Sequence, residues 1–287
     1  MGKYVWNGNM LIERTKAVVD IEDRGHIFGD GIYEVFRVYG GRLFEPELHW
    51  ARFVRSAQAI RLELLWEPAE LEEGVRELIR ADGLEEGIVY LQLTRGAAPR
   101  SHTFPGPGTP PALTAFTKPM PRPLAALEAG VAVVSRPDIR WLRCDIKSLN
   151  LLPNVLARQE AAERGAAEAV LHRDGVVTEC SASNIAIVVN GVIRTHPANN
   201  LILHGVTRAV ALRLAAELGI PFEERAFTLE ELYAADEAFL LGTTVEITPV
   251  VGVDGRTIGG GRPGPVTRRL QESFERLVNA LAPSPAP

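Results

Sequence analysis

The chain contains very little lysine and very little cysteine. Only four of its 31 Lys and Arg residues are lysines, Lys147 among them, and its two cysteines, Cys144 and Cys180, have no CxxC spacing. Two such cysteines exclude a disulfide framework and indicate a reducing compartment. Arginine stays protonated, whereas a buried lysine can lose its proton and act as a nucleophile or base, so Lys147 points mildly to amine chemistry. On composition alone, an ordinary surface lysine is the commoner explanation.

Long apolar runs and basic clusters are also missing from the sequence. No run approaches about 18 apolar residues, and the N-terminal residues alternate polar and apolar side chains, unlike a signal peptide. The 31 basic and 36 acidic residues give a formal net charge of −5, which argues against nucleic acid as a partner. We therefore expect a cytoplasmic protein without a nucleic-acid or membrane partner.

The bulk composition is that of an ordinary globular protein. The 287 residues are 46% hydrophobic, enough to form the core of two modest domains or one large one. The six histidines show neither HExxH nor any other paired-ligand spacing, so we expect no metal site.

Strand pairs alternate with helices along the chain. Turn-forming pairs separate strand-like runs at Asn7-Gly8, Gly40-Gly41, Asp174-Gly175, Asn190-Gly191 and Asp254-Gly255. Apolar residues recur with helical spacing over residues 46–62, 67–82, 151–164, 206–218, 228–234 and 265–281. Because the strands come in adjacent hairpin pairs and not in strict βαβ order, the sequence favours an α+β (mixed α/β) fold over a doubly wound nucleotide-binding fold.

A Pro-rich stretch near residue 118 suggests a domain boundary. We expect an N-terminal α/β domain over residues 1–117, an interdomain linker over 118–124 and a C-terminal domain over 125–287 that carries Lys147. The Pro/Gly-rich residues 95–111 form a long loop inside the first domain, and loops of that length are usually functional or disordered.

Four features of the second half suit one kind of chemistry. Lys147 precedes a helix, Glu179 lies between two strands, residues 203–208 (LHGVTR) open a helix, and residues 242–244 (GTT) close a strand with two hydroxyls. A lysine that can form an imine, a helix start that can hold a phosphate and a lone acid are what pyridoxal phosphate requires. Taken singly, each feature also has an ordinary structural explanation.

The segments CDIKSLNLL, TECSASN, GVTR and TTVEITPV resemble, in order and spacing, those of the fold type IV family of pyridoxal phosphate enzymes. EDRGHIFGDGIYEV and HWARFVRSA resemble the N-terminal domain of that family, so the likeness covers nearly the whole chain. It implies a two-domain fold with a smaller N-terminal α/β sandwich and a larger C-terminal pseudo-barrel. Within the family, the chain is most similar to the D-amino acid aminotransferases.

The resemblance implies roles for particular residues around pyridoxal phosphate. Lys147 is implied to be the Schiff-base lysine and the base that moves the substrate α-proton, and Glu179 to pair with the pyridine nitrogen. The other implied cofactor-binding residues are Arg52, Ser183, Val206, Thr207 and Thr243. Helical periodicity by itself assigns Arg52 only to a polar face. The family pattern has serine where this chain has Ala182, so a hydroxyl near the cofactor is missing, which affects rate or cofactor retention more than reaction type.

Substrate recognition is implied to fall on a different set of residues. Arg100 and His102 match the RxH pattern that resembles a carboxylate trap, Tyr33 supplies a phenol, and Thr244 also contacts substrate. In the family, Arg100 and His102 reach the neighbouring subunit's active site, which implies a homodimer with shared sites. A guanidinium gives directed, charge-assisted hydrogen bonds to a carboxylate.

The implied reaction is ping-pong transamination. A D-alanine-type donor gives its amino group to a 2-oxo acid such as 2-oxoglutarate, which yields a 2-oxo acid and D-glutamate. Three alternatives remain open: a branched-chain L-amino acid aminotransferase, an aminodeoxychorismate lyase on the same scaffold, and a non-catalytic pyridoxal phosphate carrier. Activity with L-amino acids alone would indicate the branched-chain aminotransferase. Pyruvate release without an amino acceptor would indicate the lyase, and bound cofactor without turnover would indicate the carrier.

Overall fold

The protein consists of two compact units that are interleaved along the chain. The computed structural model describes residues 1–281. One unit contains Met1–Pro121 with Ile146–Asn150, and the other contains Arg122–Asp145 with Leu151–Asn279. Lys147 therefore packs within the first unit, although its position in the sequence suggested the C-terminal domain, because the chain returns to the first unit for five residues. The predicted domain and linker boundaries stay predictions.

The first unit is built on a six-stranded antiparallel sheet with the strand order β2-β1-β6-β5-β3-β4. Its elements are β1 (Tyr4–Trp6), β2 (Leu11–Glu13), α1 (Arg24–Phe28), β3 (Gly31–Tyr39), β4 (Arg42–Leu43), α2 (Pro46–Ala59), α3 (Pro68–Asp82), β5 (Gly87–Thr94) and β6 (Ala112–Pro119). A short 3-10 turn occupies Arg14–Lys16. The strand β6 thus continues through the first two residues of the predicted linker.

The helices α2 and α3 contribute to the core of this unit, as their periodicity predicts. Trp50 and Phe53 of α2 and Leu71 of α3 are buried in one cluster with Phe36 of β3. Both helices begin with proline, whose fixed φ suits a first turn. A capping box between Glu67 and its third neighbour also stabilises the start of α3. The predicted helices over 46–62 and 67–82 are confirmed, within a few residues at each end.

The second unit surrounds a nine-stranded mixed sheet. Its elements are α4 (Leu124–Ala129), β7 (Val131–Pro137), α5 (Leu152–Glu163), β8 (Glu168–Arg173), β9 (Val176–Cys180), β10 (Asn184–Val189), β11 (Val192–Thr195), α6 (Val206–Glu217), β12 (Phe222–Glu224), α7 (Leu229–Tyr233), β13 (Glu237–Gly242), β14 (Glu246–Val253), β15 (Arg256–Thr257) and α8 (Pro265–Leu281). The strand order is β12-β11-β10-β13-β14-β7-β8-β9, and β15 pairs with β14. Parallel pairs occur at β11/β12, β14/β7 and β7/β8. The α+β prediction is confirmed.

Each predicted turn pair lies between two paired strands, but Asn7-Gly8 does not form the predicted two-residue turn, because it belongs to a four-residue loop between Trp6 and Leu11 in which only Gly8 has positive φ. Asp174-Gly175, Asn190-Gly191 and Asp254-Gly255 join paired strands of the second unit, and both residues of each pair have positive φ. Such a turn matches the twist of the flanking strands, and Asn, Asp and Gly tolerate this backbone best. The short helices α1 and α4 were not predicted, whereas the similarly short α7 lies within the predicted segment 228–234.

Three features of the described residues 1–281 concern membrane spans, metal sites and cysteines. No helix in this range is long and apolar enough to cross a bilayer. Within the same range, no group of three or more His, Cys, Asp or Glu residues is arranged to hold a metal ion. Cys144 and Cys180 are both unpaired and buried.

Candidate active site

Lys147 lies on a short extended segment that pairs with the beginning of β3. The Tyr33 N–H donates to the Lys147 carbonyl at 2.9 Å, and the Leu149 N–H donates to the Gly31 carbonyl at 3.1 Å. The Lys147 N–H donates to Ser56 Oγ of α2 at 3.2 Å. Bonds on both sides of the residue thus fix the main chain from which the lysine side chain projects.

The Lys147 amine lies over an aromatic ring that also belongs to the predicted site. Its Nζ is 4.1 Å from the centre of the Tyr33 ring, a distance at which a cation is attracted to the ring face. Tyr33 stacks on Tyr90 with ring centres 5.6 Å apart, and Tyr90 stacks on Phe116 at 5.0 Å. Burial, with a smaller contribution from Tyr33, raises the pKa of Tyr90 to about 12. Tyr33 and Lys147 are therefore brought together, and Tyr90 keeps its proton.

Arg52 lies on the buried face of α2 in a close ion pair with Glu34. Arg52 Nε donates to Glu34 Oε2 at 3.0 Å, and Arg52 Nη2 donates to Oε1 at 2.6 Å. His49 Nδ1 lies 3.0 Å from the same Oε1. The polar face that periodicity assigned to Arg52 is thus buried, with Arg52 only 4% exposed.

Burial and neighbouring charges determine the protonation states of Glu34 and His49. Burial would raise the pKa of Glu34, but Arg52 and His49 outweigh it and hold that pKa well below its usual range. Burial lowers the pKa of His49 by more than Glu34 raises it. The cluster therefore pairs an ionised carboxylate and a guanidinium beside a neutral imidazole.

Arg100 and His102 flank Ser101 in the predicted loop, and a hydrogen bond to the Ser101 carbonyl fixes the main chain there. Buried Arg24 donates to the Ser101 carbonyl at 2.6 Å, while Arg100 and His102 are exposed. The Arg100 guanidinium carbon lies 5.3 Å from the centre of the Phe28 ring, and the His102 ring centre lies 5.4 Å from it. The two predicted substrate residues are thus gathered around one aromatic ring of α1.

In the second unit, Glu179 is the penultimate residue of strand β9, and its buried carboxyl has three partners. Arg140 Nη1 donates to Oε1, Asn184 Nδ2 donates to Oε2 at 2.8 Å, and the Leu203 N–H lies 3.0 Å from Oε2. Burial raises the pKa of Glu179 to about 7, because it outweighs the opposing effect of Arg140. This carboxyl can therefore gain or lose a proton near neutral pH.

Arg140 is shared between Glu179 and a second acid. Its Nε and Nη2 donate to the two oxygens of Asp138, each at 2.9 Å, and the Thr178 hydroxyl donates to Asp138 at 2.9 Å. Burial would raise the pKa of Asp138, but the bonds and charge of Arg140 lower it to about 2. Much of the Arg140 charge is thus balanced by Asp138, which leaves Glu179 closer to neutrality.

Ser183 faces a buried acid that the sequence did not reveal. The Ser183 hydroxyl donates to Glu168 Oε2 at 3.3 Å, the Ser181 hydroxyl donates to Oε1, and the Ala169 N–H donates to Oε1 at 2.9 Å. A Cβ at Gly242 would lie 3.3 Å from Ser183 Cβ. The turn that carries Thr243 and Thr244 therefore begins beside Ser183.

The N-terminus of α6 lies beside Asn184. A Cβ at Gly205, the N-cap, would come within 2.0 Å of Asn184 Oδ1. Val206 and Thr207 follow, both 4% exposed, and no side chain caps the helix. Amides of a first helical turn have no partner inside the helix and suit an anion. Glu179, Ser183, this helix start and the 242–245 turn thus lie side by side in the second unit.

Several residues that complete the site were missed from the sequence. They are Glu34, His49, Asp138, Arg140, Glu168 and the side chain of Asn184. The available signal was a charged residue inside an otherwise apolar strand, such as Glu34 in IYEVF. A second signal was the spacing of His49 and Arg52, which puts both on one helix face.

Residues 31–253 match the model of the family described as amino-transferase class IV. The chain belongs to this family. The D-alanine aminotransferase of Staphylococcus haemolyticus is 48% identical over 280 residues, which cover 98% of this chain and 99% of that protein. The D-alanine aminotransferase of Bacillus licheniformis is 47% identical over 276 residues, 96% of this chain and 97% of that protein.

Solved structures of the class IV fold superpose closely on the chain. The branched-chain amino acid aminotransferase of Escherichia coli has a TM-score of 0.92 and 29% identity, with 99% of this chain and 97% of that chain covered. A T.th. branched-chain amino acid aminotransferase with pyridoxamine 5'-phosphate has a TM-score of 0.90 and 28% identity, with 99% and 96% covered. The fold and the aminotransferase activity predicted from the resemblance are confirmed.

Proposed function

We propose that this class IV aminotransferase uses pyridoxal phosphate to transfer amino groups from D-amino acids of the D-alanine type to a 2-oxo acid such as 2-oxoglutarate. The observation that carries the proposal is 48% identity to a D-alanine aminotransferase over 98% of the chain. The two branched-chain aminotransferases compared above are 28–29% identical. D-glutamate and a 2-oxo acid are the expected products.

The residues assigned to the cofactor have the chemistry that it needs. When bound, pyridoxal phosphate supplies an aldehyde carbon for the amino group and a ring that accepts electrons. Lys147 would hold the cofactor through its aldehyde carbon, and its amine would carry the proton at the substrate Cα. Glu179 would accept a hydrogen bond from the protonated ring nitrogen, a role that requires its ionised form, and the positive ring would oppose the burial that raises the pKa of this carboxyl to about 7. Its bonds to Arg140 and Asn184 keep it in place.

We assign three kinds of group to the binding of the cofactor phosphate: a guanidinium, backbone amides at an uncapped helix start, and hydroxyls. Arg52 contributes its guanidinium, which Glu34 already orients. Val206 and Thr207 contribute backbone amides at the start of α6, where the helix dipole favours an anion. Thr243 and Ser183 add hydroxyls.

The choice between D and L substrates is assigned to the residues that hold the α-carboxylate. Arg100 and His102 are exposed beside Phe28 and can donate to a carboxylate, and the Tyr33 phenol lies next to the Lys147 amine. Thr244 completes the substrate contacts. Because Lys147 can reach the Cα proton from one side only, the direction of the carboxylate determines which enantiomer reacts.

A homodimer with shared sites, acting in the cytoplasm, is the proposed assembly. Large apolar side chains are exposed in the second unit, among them Ile139 at 69%, Leu142 at 62% and Leu152 at 68%, and exposed apolar side chains are typical of interfaces. Two unpaired buried cysteines suit a reducing compartment. Mixing Lys147→Ala chains with Arg100→Ala chains tests shared sites, because random re-pairing restores one intact site in half of the dimers, about a quarter of parental activity. Activity no higher than that of the separate variants would contradict sharing.

The function is tested by the absorption spectrum of the purified protein before and after D-alanine, L-alanine or L-valine. We expect a visible absorption band of the bound cofactor, absent in Lys147→Ala, that converts to that of the amine form with D-alanine alone. D-alanine should also support D-glutamate formation from 2-oxoglutarate. Conversion by L-valine alone would instead indicate a branched-chain L-amino acid aminotransferase, whose fold this chain shares at a TM-score of 0.92.

A further inference from the structure

Glu34 is a buried charge that the proposed reaction does not use. Its side chain is 0% exposed in the middle of the apolar strand β3. A carboxylate is costly to bury unless partners compensate its charge and its hydrogen bonds. Here Arg52 donates to both oxygens, and the Val35 N–H donates to Oε1 at 2.9 Å. The strand therefore maintains a costly group whose main partner is Arg52.

The strand β3 links this pair to the lysine. Successive strand residues point to opposite faces of a sheet, so Tyr33 lies against the Lys147 amine while Glu34 lies against α2. On α2, Arg52 and Ser56 lie one turn apart, and Ser56 accepts the hydrogen bond from the Lys147 N–H. One helix face and one strand thus position both the lysine and the arginine.

The contact with Glu34 fixes the plane of the Arg52 guanidinium. The carboxylate takes the edge formed by Nε and Nη2, at 3.0 and 2.6 Å, and a fork of two parallel bonds prevents rotation about the last side-chain torsions. His49 stands beside the carboxylate at 3.0 Å, and its ring packs on Phe36 with centres 4.9 Å apart. The guanidinium is therefore held from one side by a rigid support.

We propose that Glu34, supported by His49, is a positioning residue that holds the Arg52 guanidinium in the orientation in which it binds the phosphate of the cofactor. The inference rests on the proposed function, in which Arg52 is a phosphate ligand. Glu34 acts only through Arg52 and does not touch cofactor or substrate. Loss of the Glu34 carboxylate therefore weakens the binding of ligands that carry the phosphate and leaves the binding of ligands without it unchanged.

The test compares the binding of pyridoxal phosphate and of pyridoxal, which lacks the phosphate, to Glu34→Gln and to the parent. Dissociation constants come from absorbance titration of protein from which the cofactor has been removed. We expect Glu34→Gln to weaken pyridoxal phosphate binding about tenfold or more, as for loss of a buried charge-assisted bond, and to leave pyridoxal binding unchanged. Equal weakening of both ligands, or of neither, would overturn the proposal.

A matched variant separates positioning from general damage. Glu237 is another buried carboxylate, which accepts bonds from the Val266 and Thr267 amides at 2.9 and 2.8 Å, so Glu237→Gln also removes a buried charge. It should lower the melting temperature without changing the ratio of the two dissociation constants. A Glu237→Gln variant that changes this ratio as Glu34→Gln does would refute a specific role for Glu34.

Two further variants keep the test decisive if Glu34→Gln does not fold. Glu34→Asp retains the charge but withdraws it by one methylene, and should selectively weaken pyridoxal phosphate binding by a smaller factor. Arg52→Lys removes the fork, so adding Glu34→Asp to it should cost no further pyridoxal phosphate affinity. Independent, multiplying losses would refute the inference. A parent protein that binds no pyridoxal phosphate would refute the proposed function itself.

Discussion

Glu179 should make the stability of the cofactor-free protein fall as the pH rises towards neutrality. Burial raises its pKa from an ordinary 4.5 to about 7. The unfolded chain therefore loses this proton near pH 4.5, whereas the folded protein keeps it until about pH 7. Between these values the folded state binds more protons, so the free energy of unfolding decreases with increasing pH. At 1.36 kcal/mol per pKa unit, the decrease is about 3 kcal/mol.

The variant Glu179→Gln isolates this contribution, because glutamine does not titrate and the remaining groups are common to both proteins. Urea denaturation of the parent and the variant, at pH 5, 6, 7 and 8, gives the difference between their unfolding free energies. We expect the parent to lose about 2.5 kcal/mol relative to the variant across this series, which begins inside the window, with most of the change below pH 7. A difference that is independent of pH would refute the reasoning. A parent that gains stability with pH would show that Arg140 outweighs burial.

Two further predictions concern other parts of the site. Gly205→Ala should lower the free energy of unfolding by about 1–3 kcal/mol in urea denaturation, because its Cβ would come within 2.0 Å of Asn184 Oδ1 and disturb the bond to Glu179. Gly106→Ala, where nothing lies within 4 Å, is the control, and equal effects would contradict the prediction. Arg100→Ala should leave the cofactor spectrum unchanged and raise the KM for D-alanine about tenfold or more in steady-state assays. An unchanged KM would remove Arg100 from the carboxylate site.

Local patterns account for most of the fold that the sequence predicts. Several hairpins were predicted from pairs such as Asn190-Gly191, because the positive φ that the turn requires is a property of those residues themselves. The long helices were found from their apolar period, which reflects one-sided burial. The membership of Lys147 in the first unit could not be found in this way, since it depends on the pairing of residue 147 with β3, more than a hundred residues earlier.

The charged residues that bond to the site residues could not be predicted from the sequence for a related reason. A charged residue in a strand looks the same in sequence whether water or a buried counter-ion balances it. Glu34, Glu168 and Arg140 were therefore not recognised, although each is less than a tenth exposed. The groups with cofactor roles were identified only through resemblance to a family, because no local pattern distinguishes Glu179 from a solvated turn residue.

Glu34 and Glu179 show how the number of anions around an arginine determines the proton affinity of a buried carboxyl. Both are buried and both bond to a guanidinium, yet the pKa of Glu34 is held well below its usual range while that of Glu179 is raised to about 7. Glu34 takes both bonds of its fork from Arg52. Arg140 gives its fork to Asp138 and only a single bond to Glu179. A carboxylate with the full charge of its arginine stays ionised and can serve as a fixed support, whereas one that shares its arginine keeps an incompletely balanced charge, which a protonated ring nitrogen can compensate.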